Sequence, residues 1–355
     1  MRSVLNTFFG KKMRDRTITY LIVIVAFIVM QTLSATGGLS RLLRSLLVPV
    51  CCYTVAAIGL NLNIGISGEL NLGQAGFMSV GGFAAAIFAA WLGEGVPAPI
   101  RLILCILLGA FMAGFIGWLI SIPVLKLKGD YLAIVTLAFG QIIMTIFNNL
   151  YVGLDEKGLH FSFLNNHLEM SESGRTIIGG PMGASGIQTI ASFTAGFILI
   201  LFALFLVFNL MYSKSGRAVM ACRDNRIAAE TVGINVAKTK TLAFVISSAL
   251  GGMAGALYML NFSSVTATKF DFNLSIMILV YVVLGGLGNI KGTIIATALL
   301  VVLPEMLRFL SGYRMLLYAV ILIVIMLLTN NERIRTFLKR LRERFGKGRK
   351  EAAHE

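Results

Sequence analysis

Residues 214–240 read KSGRAVMACRDNRIAAETVGINVAKTK, a polar, basic segment of helical character set between two apolar stretches, 188–212 and 239–262, each long enough to cross a bilayer. Working outward, the apolar character holds almost throughout. Hydrophobic residues make up 57% of the 355 residues and charged residues 13%, a balance that excludes a soluble globular domain of this length. The fold class this predicts is an all-α polytopic membrane protein in which the quoted segment is a helix outside the lipid.

Apolar windows of about 17–25 residues fall near 18–36, 43–65, 70–92, 100–125, 131–151, 188–212, 239–262, 274–289, 292–310 and 313–329, which predicts about ten transmembrane helices. The chain then divides into a basic N-terminus (1–17), a transmembrane domain (18–329) and a basic tail (330–355). Lys and Arg near span ends are retained on the cytoplasmic side. Three basic clusters set the orientation: Arg2, Lys11, Lys12, Arg14 and Arg16; Lys214, Arg217, Arg223, Arg226, Lys238 and Lys240; and the run from Arg333 to Lys350. An even number of spans separates each pair, so both termini are expected inside the cell membrane. The segment 152–187 is expected outside, where Asp155, Glu156, Glu169 and Glu172 outnumber Lys157 and Arg175. Arg41 and Arg44 are a local violation of the rule.

The net charge of +15 is therefore first a topology signal. The tail reads as a contact to anionic lipid headgroups, and no nucleic-acid partner is expected. The first span exceeds a signal-peptide core and is expected to be retained. Cys51, Cys52 and Cys105 fall within spans and Cys222 in the basic segment, which predicts packing residues and no disulfide framework. His160, His167 and His354 all lie outside the spans, and no cluster has metal-ligand spacing, so neither a catalytic residue nor a metal site is expected.

Three segments concentrate polar groups or helix breakers. In GISGELNLGQAGFMSVGG (65–82), Glu69, Asn71 and Gln74 sit among glycines; such groups are expensive in lipid, so they either line a pathway or cap a broken helix. In LKLKGDYLAIVTLAFGQ (125–141), Lys126, Lys128 and Asp130 are solvated at a span end, while Thr136 and Gln141 lie deeper and meet either a neighbouring helix or a passing solute. In 279–308, GGLGNIKG lacks the GK[ST] ending of a phosphate loop, and Glu305 and Arg308 read as a helix-surface ion pair. Asn71, Gln74, Thr136 and Gln141 are the candidate translocation-path residues, because neutral amides and hydroxyls can exchange partners with a moving zwitterion.

Taken in order, GLNLNIGISGELNLGQAGFMSVGGFAAAI (59–87), GDYLAIVTLAFGQ (129–141), GGPMGASGI (179–187), the segment 216–258 and finally 279–308 resemble the permease subunits of branched-chain amino acid ABC importers. Ala228, Ala229 and Gly233 keep the A-A-x-x-x-G spacing of the loop through which such permeases grip their ATPases, with Ile227 in place of the usual leading Glu. The resemblance implies a bundle with alternating access and a coupling segment at 213–238, for which Arg217, Arg223, Asp224, Ala228, Ala229, Glu230 and Gly233 are the candidate residues. An Ala218, Ala221, Ala228, Ala229 and Val232 face would meet the ATPase, and Gly233 would end the coupling helix. It implies two cytoplasmic ATP-binding subunits, a sister permease and an external solute-binding protein, with ATP used by the partners and no cofactor in this chain. The segment 152–187 is expected to meet the solute-binding protein. Departures touch the solute: Gln141 and Met144 stand where the family commonly carries an acidic and a basic residue.

Urea-type and nucleoside-type ABC permeases share part of these motifs and remain alternatives. An ion-coupled secondary transporter would need an intramembrane ionisable group, and Glu69 near a span boundary is almost the whole supply. A channel would not require the coupling segment.

Overall fold

The computed structural model describes residues 2–38, 40–93, 95–125, 127, 129–155, 158–163, 174–307 and 313–330. Lys126, Lys128, Glu156, Lys157, His167, Glu169, Glu172, Arg308 and the tail 331–355 lie outside the described residues. The chain divides into two compact units, 1–299 and 300–355.

In the first unit, α1 (Arg2–Ala35), α2 (Arg41–Asn61), α3 (Gln74–Leu92), α4 (Ala98–Val124) and α5 (Asp130–Asn148) precede a small sheet. After it come α6 (Phe193–Tyr212), two short helices, α7 (Lys214–Asp224) and α8 (Arg226–Thr231), then α9 (Val236–Met259), α10 (Phe272–Gly285) and α11 (Ile290–Met306), which runs into the second unit. In that unit α12 spans Arg314–Asn330.

Seven helices among the described residues are long and apolar enough to cross a membrane: Arg16–Ala35, Arg41–Ser67, Gln74–Leu92, Ala98–Val124, Asp130–Asn148, Phe193–Tyr212 and Val236–Met259. They correspond to the first seven expected windows. The last three windows form helices of 14, 17 and 17 residues, about 21–26 Å at 1.5 Å per residue against a hydrocarbon core of ~30 Å. Gly286 and Gly288 take positive φ and cut α10 short.

The all-α expectation needs correction. Strands β1 (Leu150–Asp155), β2 (Gly158–Phe163), β3 (Arg175–Gly179), β4 (Ala184–Ser185) and β5 (Ser264–Val265) form an antiparallel sheet in the order β2-β1-β3-β4-β5. Val152 pairs with Ile178, and both are buried. The described part of 152–187 is thus largely sheet with buried apolar side chains, where the sequence reading expected an external loop and no strands. His160 likewise sits in β2, half-buried. Strands this short carry no readable period, and β5 joins from more than 75 residues downstream.

The centre of the unit is α9, packed on α2, α3 and α4. Gly81, Gly109 and Gly252 meet where three helices cross. A Cβ on Gly81 would strike the Gly252 backbone, and one on Gly252 would strike Ala113 and the Gly109 carbonyl. Without a hydrophobic driving force in lipid, such backbone approach is what holds a bundle together. At the periphery, Phe27 of α1 stacks on Phe197 of α6 at 3.9 Å between ring centroids.

A broken helix tied to the basic segment

Helix α2 does not end cleanly. It loosens into a π-helical turn, Leu62–Ser67, which Gly68 closes at φ +76°, and the chain then runs without regular structure to Gly73 before α3 begins at Gln74. Wide turns of this kind free backbone groups and recur at functional sites. Close approach of glycines permits the break: Gly73 and Gly76 sit against Thr136 and Gly140 of α5, and Gly65 against Gly288.

Polar side chains collect here. Asn61 donates from Nδ2 to Thr293 Oγ1 (2.7 Å) and accepts from the Gly288 amide (2.8 Å), joining α2 to the turn before α11. The Leu72 amide donates to Thr136 Oγ1 (3.0 Å), and Asn71 Oδ1 accepts from the Gly73 amide (2.8 Å). Gln74 Nε2 donates to the Ala56 carbonyl at 3.3 Å. Half of this polarity is unspent: Asn71 Nδ2, Gln74 Oε1, Ser67 Oγ, Ser79 Oγ and both polar atoms of Asn63 have no partner among the described residues, although all are buried. A buried polar group without a partner costs about 1–3 kcal/mol.

The structure therefore brings Asn71, Gln74 and Thr136 together in one buried cluster. Gln141 stands apart, half-buried further along α5, in a shallow pocket with Met144, Thr268 and Asn273. The sequence reading missed Asn61, Asn63, Ser67 and Thr293 as members of the cluster. Two asparagines in an otherwise apolar run, 59-GLNLNIG-65, were the available signal.

The basic segment folds as capped helices. Ser213 Oγ accepts from the Gly216 amide to start α7, Asn225 Oδ1 from the Ala228 amide to start α8, and Asn235 Oδ1 from the Lys238 amide to start α9. Gly233 ends α8 as expected, at φ +82°. Its amide donates to the Glu230 carbonyl and the Ile234 amide to the Ala229 carbonyl, the paired bonds of a Schellman cap.

The expected alanine face is different in detail. Ala229 is buried with Cys222 and Val236, and Ile234 packs on them. Ala218 and Ala221 are half-buried. The outward face carries Ile227 (75% exposed), Val232 (74% exposed) and Ala228, with Arg226 and Glu230 paired at 3.1 Å beside them. Arg217 donates to the Tyr212 carbonyl, tying α7 back to α6. Burial pushes the Cys222 thiol above its ordinary value, against the opposing charge of Lys240.

Two links join this segment to the broken helix. Arg223 pairs with Asp224 (2.9 Å) and also donates through NH1 to the Gly65 carbonyl (2.7 Å), while its aliphatic stem lies over Gly68. Lys240, at the start of α9, forms an ion pair with Glu69, both largely removed from solvent. The intramembrane carboxylate singled out in the sequence is therefore already engaged, by a residue of the basic segment 171 positions away.

The family described as branched-chain amino acid transport system, permease component, matches residues 42–329. Among curated proteins, the chain is 32% identical over 290 residues to the high-affinity branched-chain amino acid transport system permease protein LivM of Escherichia coli, covering 78% of this chain and 66% of that protein. It is 26% identical to the probable LivM of Methanocaldococcus jannaschii, over 72% of this chain and 78% of that one. To LivH of Salmonella typhimurium it is 28% identical, over 70% and 79%. The match thus spans just under two thirds of the length of the Escherichia coli relative. No solved structure matches the chain.

Proposed function

The chain belongs to the family of branched-chain amino acid transport permease components, and from that premise we propose that it is the membrane-spanning permease of an ATP-driven importer for leucine-like amino acids. Its partners in this reading are two cytoplasmic ATP-binding subunits, a sister permease of the LivH kind, an external solute-binding protein and the bilayer of the cell inner membrane. ATP is consumed by the partner subunits, and this chain is a transport subunit. The termini and the segment 213–238 face the cytoplasm and the sheet faces outward, which is the arrangement the basic clusters favour.

One observation carries the mechanism: the coupling segment and the first turns of α9 that follow it are bonded to the broken helix through Arg223–Gly65 and Lys240–Glu69. An ATPase gripping Ile227, Ala228 and Val232 moves α7 and α8 as a capped unit, and these links pass the motion to residues 65–69. The irregular stretch 68–73 then shifts against α5, and Asn71, Gln74 and Thr136 exchange their internal partners for the ammonium and carboxylate of the solute. The unpaired atoms of Asn71 and Gln74 make that exchange inexpensive. Gln141 acts later on the same path, in the shallow pocket at the side of α5.

Reconstitution of the assembled importer in proteoliposomes tests the reading. Leucine uptake should require hydrolysable ATP inside and survive an uncoupler of the proton gradient. Uptake that continues with hydrolysis-dead ATPases and stops with the uncoupler would replace this function with ion-coupled transport.

A further inference from the structure

At the opposite end of α3 from the polar cluster, between the C-terminal turns of α3, the start of α4 and the sheet, lies a cavity of about 280 Å³. Two guanidinium groups line it. Arg101, in the first turns of α4, is only 5% exposed; it donates to the Gly93 carbonyl and to Gln188 Oε1 (2.6 Å), and its Nε has no partner. Arg175 of β3 donates to the Gly186 carbonyl (2.7 Å). Among the described residues no carboxylate lines the cavity, and the hydrogen-bond partners of Arg101 are neutral.

A buried guanidinium with only neutral partners is an uncompensated charge, since Arg stays protonated at any accessible pH. Its position sharpens the demand. The N-terminal turns of α4 already carry the positive end of the helix dipole, so anion affinity there is doubled in origin. Much of the remaining wall is aliphatic, from Ala86 and Ala89 of α3, Leu154, Ile177 and Ile187, with Ser185 and Gln188 as its other polar side chains. The volume sits near the low end of the ~300–1,000 Å³ range of ligand pockets and suits a molecule of amino-acid size.

We propose that this cavity binds a small aliphatic carboxylate, with the carboxylate between Arg101 and Arg175 and the hydrocarbon against α3 and the sheet. Its identification as a free branched-chain amino acid rests on the transport function proposed above. The Ser185 hydroxyl, also in the lining, is an acceptor for an ammonium group. Fifteen residues of α3, about 22 Å, separate Ala89 from Gln74, so this is a site distinct from the polar cluster: a holding place on the sheet side of the bundle.

The test is direct binding to the full chain in nanodiscs, without the solute-binding protein, using radiolabelled leucine. Leucine should bind saturably and be displaced by 4-methylpentanoate, which keeps the carboxylate and branched tail, but not by leucinol, which lacks the carboxylate. Arg175→Gln, at an exposed position that folding tolerates, should weaken binding at least about tenfold, and Arg101→Gln at least as much. Arg175→Lys should recover part of it. Saturable leucine binding indifferent to both arginine substitutions would overturn the proposal, as would no binding at millimolar leucine. An Arg175→Gln chain with no change in leucine binding but weakened stimulation by the solute-binding protein would also overturn it, assigning the arginines to a carboxylate of that partner. Failure of the transport reading is distinguishable: it appears as absent leucine uptake by the wild-type importer, while 4-methylpentanoate binding to the cavity persists.

Discussion

Two regions of this bundle, some two turns apart along α3, are built to opposite ends. Where α3, α4 and α9 cross at Gly81, Gly109 and Gly252, backbones touch and nothing is left to rearrange. Where α2 gives way to α3, the helix is interrupted over residues 62–73, and six buried polar atoms of five side chains have no partner. Close packing tolerates no alternative arrangement, whereas a broken helix with unspent hydrogen bonds has several of similar energy. The first region is a fixed frame. The second is the part that can move, and Arg223 of α7 and Lys240 in the first turns of α9 are bonded to it.

The largest expected effect lies in the frame. Gly252→Leu drives a side chain into Ala113 and the Gly109 carbonyl, and should cost about 3 kcal/mol or more. Loss of monodisperse protein on size-exclusion chromatography, or a steep fall in melting temperature, would register it. A variant that purifies and melts like the wild type would remove the contrast between the two regions.

Next come the residues of the coupling segment. Gly233→Val forces a β-branched residue to φ +82°, at about 1–2 kcal/mol, and should release the ATPases while the membrane bundle stays folded. Ile227→Glu should do the same with less disturbance of the chain itself, since Ile227 is exposed, whereas Ala229→Glu buries a charge against Cys222 and Val236 and should unfold the loop locally. Co-purification of tagged ATPase reads the first two. Maleimide labelling of Cys222 reads the third: slow in the native loop, where burial raises the thiol's pKa and blocks access, and fast once Ala229→Glu opens it.

The spans show what a sequence can and cannot carry. Seven of the ten windows coincide with long helices because apolar length is a local property. The cap at Gly233 was legible for the same reason, since a glycine after an alanine pair is read within one turn. Burial of Asn71, Gln74 and Thr136 away from lipid was legible from the cost of polar groups there, which holds whatever their partners are. Partners themselves are another matter. Glycine spacing announced close packing but could not tell that Gly81 meets Gly252, and nothing near Glu69 points to Lys240. The sheet was invisible because its strands of two to six residues are stabilised by pairing with distant chain, and Ala229 turned inward because Ile234, beyond the cap, covers it.

The smallest expected effect is in the polar cluster. Gln74→Leu removes a weak pair of bonds, at 3.3 and 3.5 Å, together with one unpaired oxygen, so assembly and basal ATP hydrolysis should be unchanged. Leucine uptake should slow by a factor of about 3–10, the equivalent of one net hydrogen bond. Thr136→Val, which strips the acceptor from the Leu72 amide, should behave alike. Uptake kinetics identical to wild type in both would move the path away from α3.

The central claim is that motion of the coupling segment reaches the broken helix through Glu69 and Lys240, and a charge exchange tests it most directly. Leucine moved per ATP hydrolysed would be measured in proteoliposomes for Glu69→Lys, Lys240→Glu and the double exchange. The account predicts that each single variant hydrolyses ATP with little transport, because like charges push the segment and the break apart, and that the double exchange restores much of the coupling ratio. Single variants that transport normally, or a double exchange no better coupled than its parents, would contradict it.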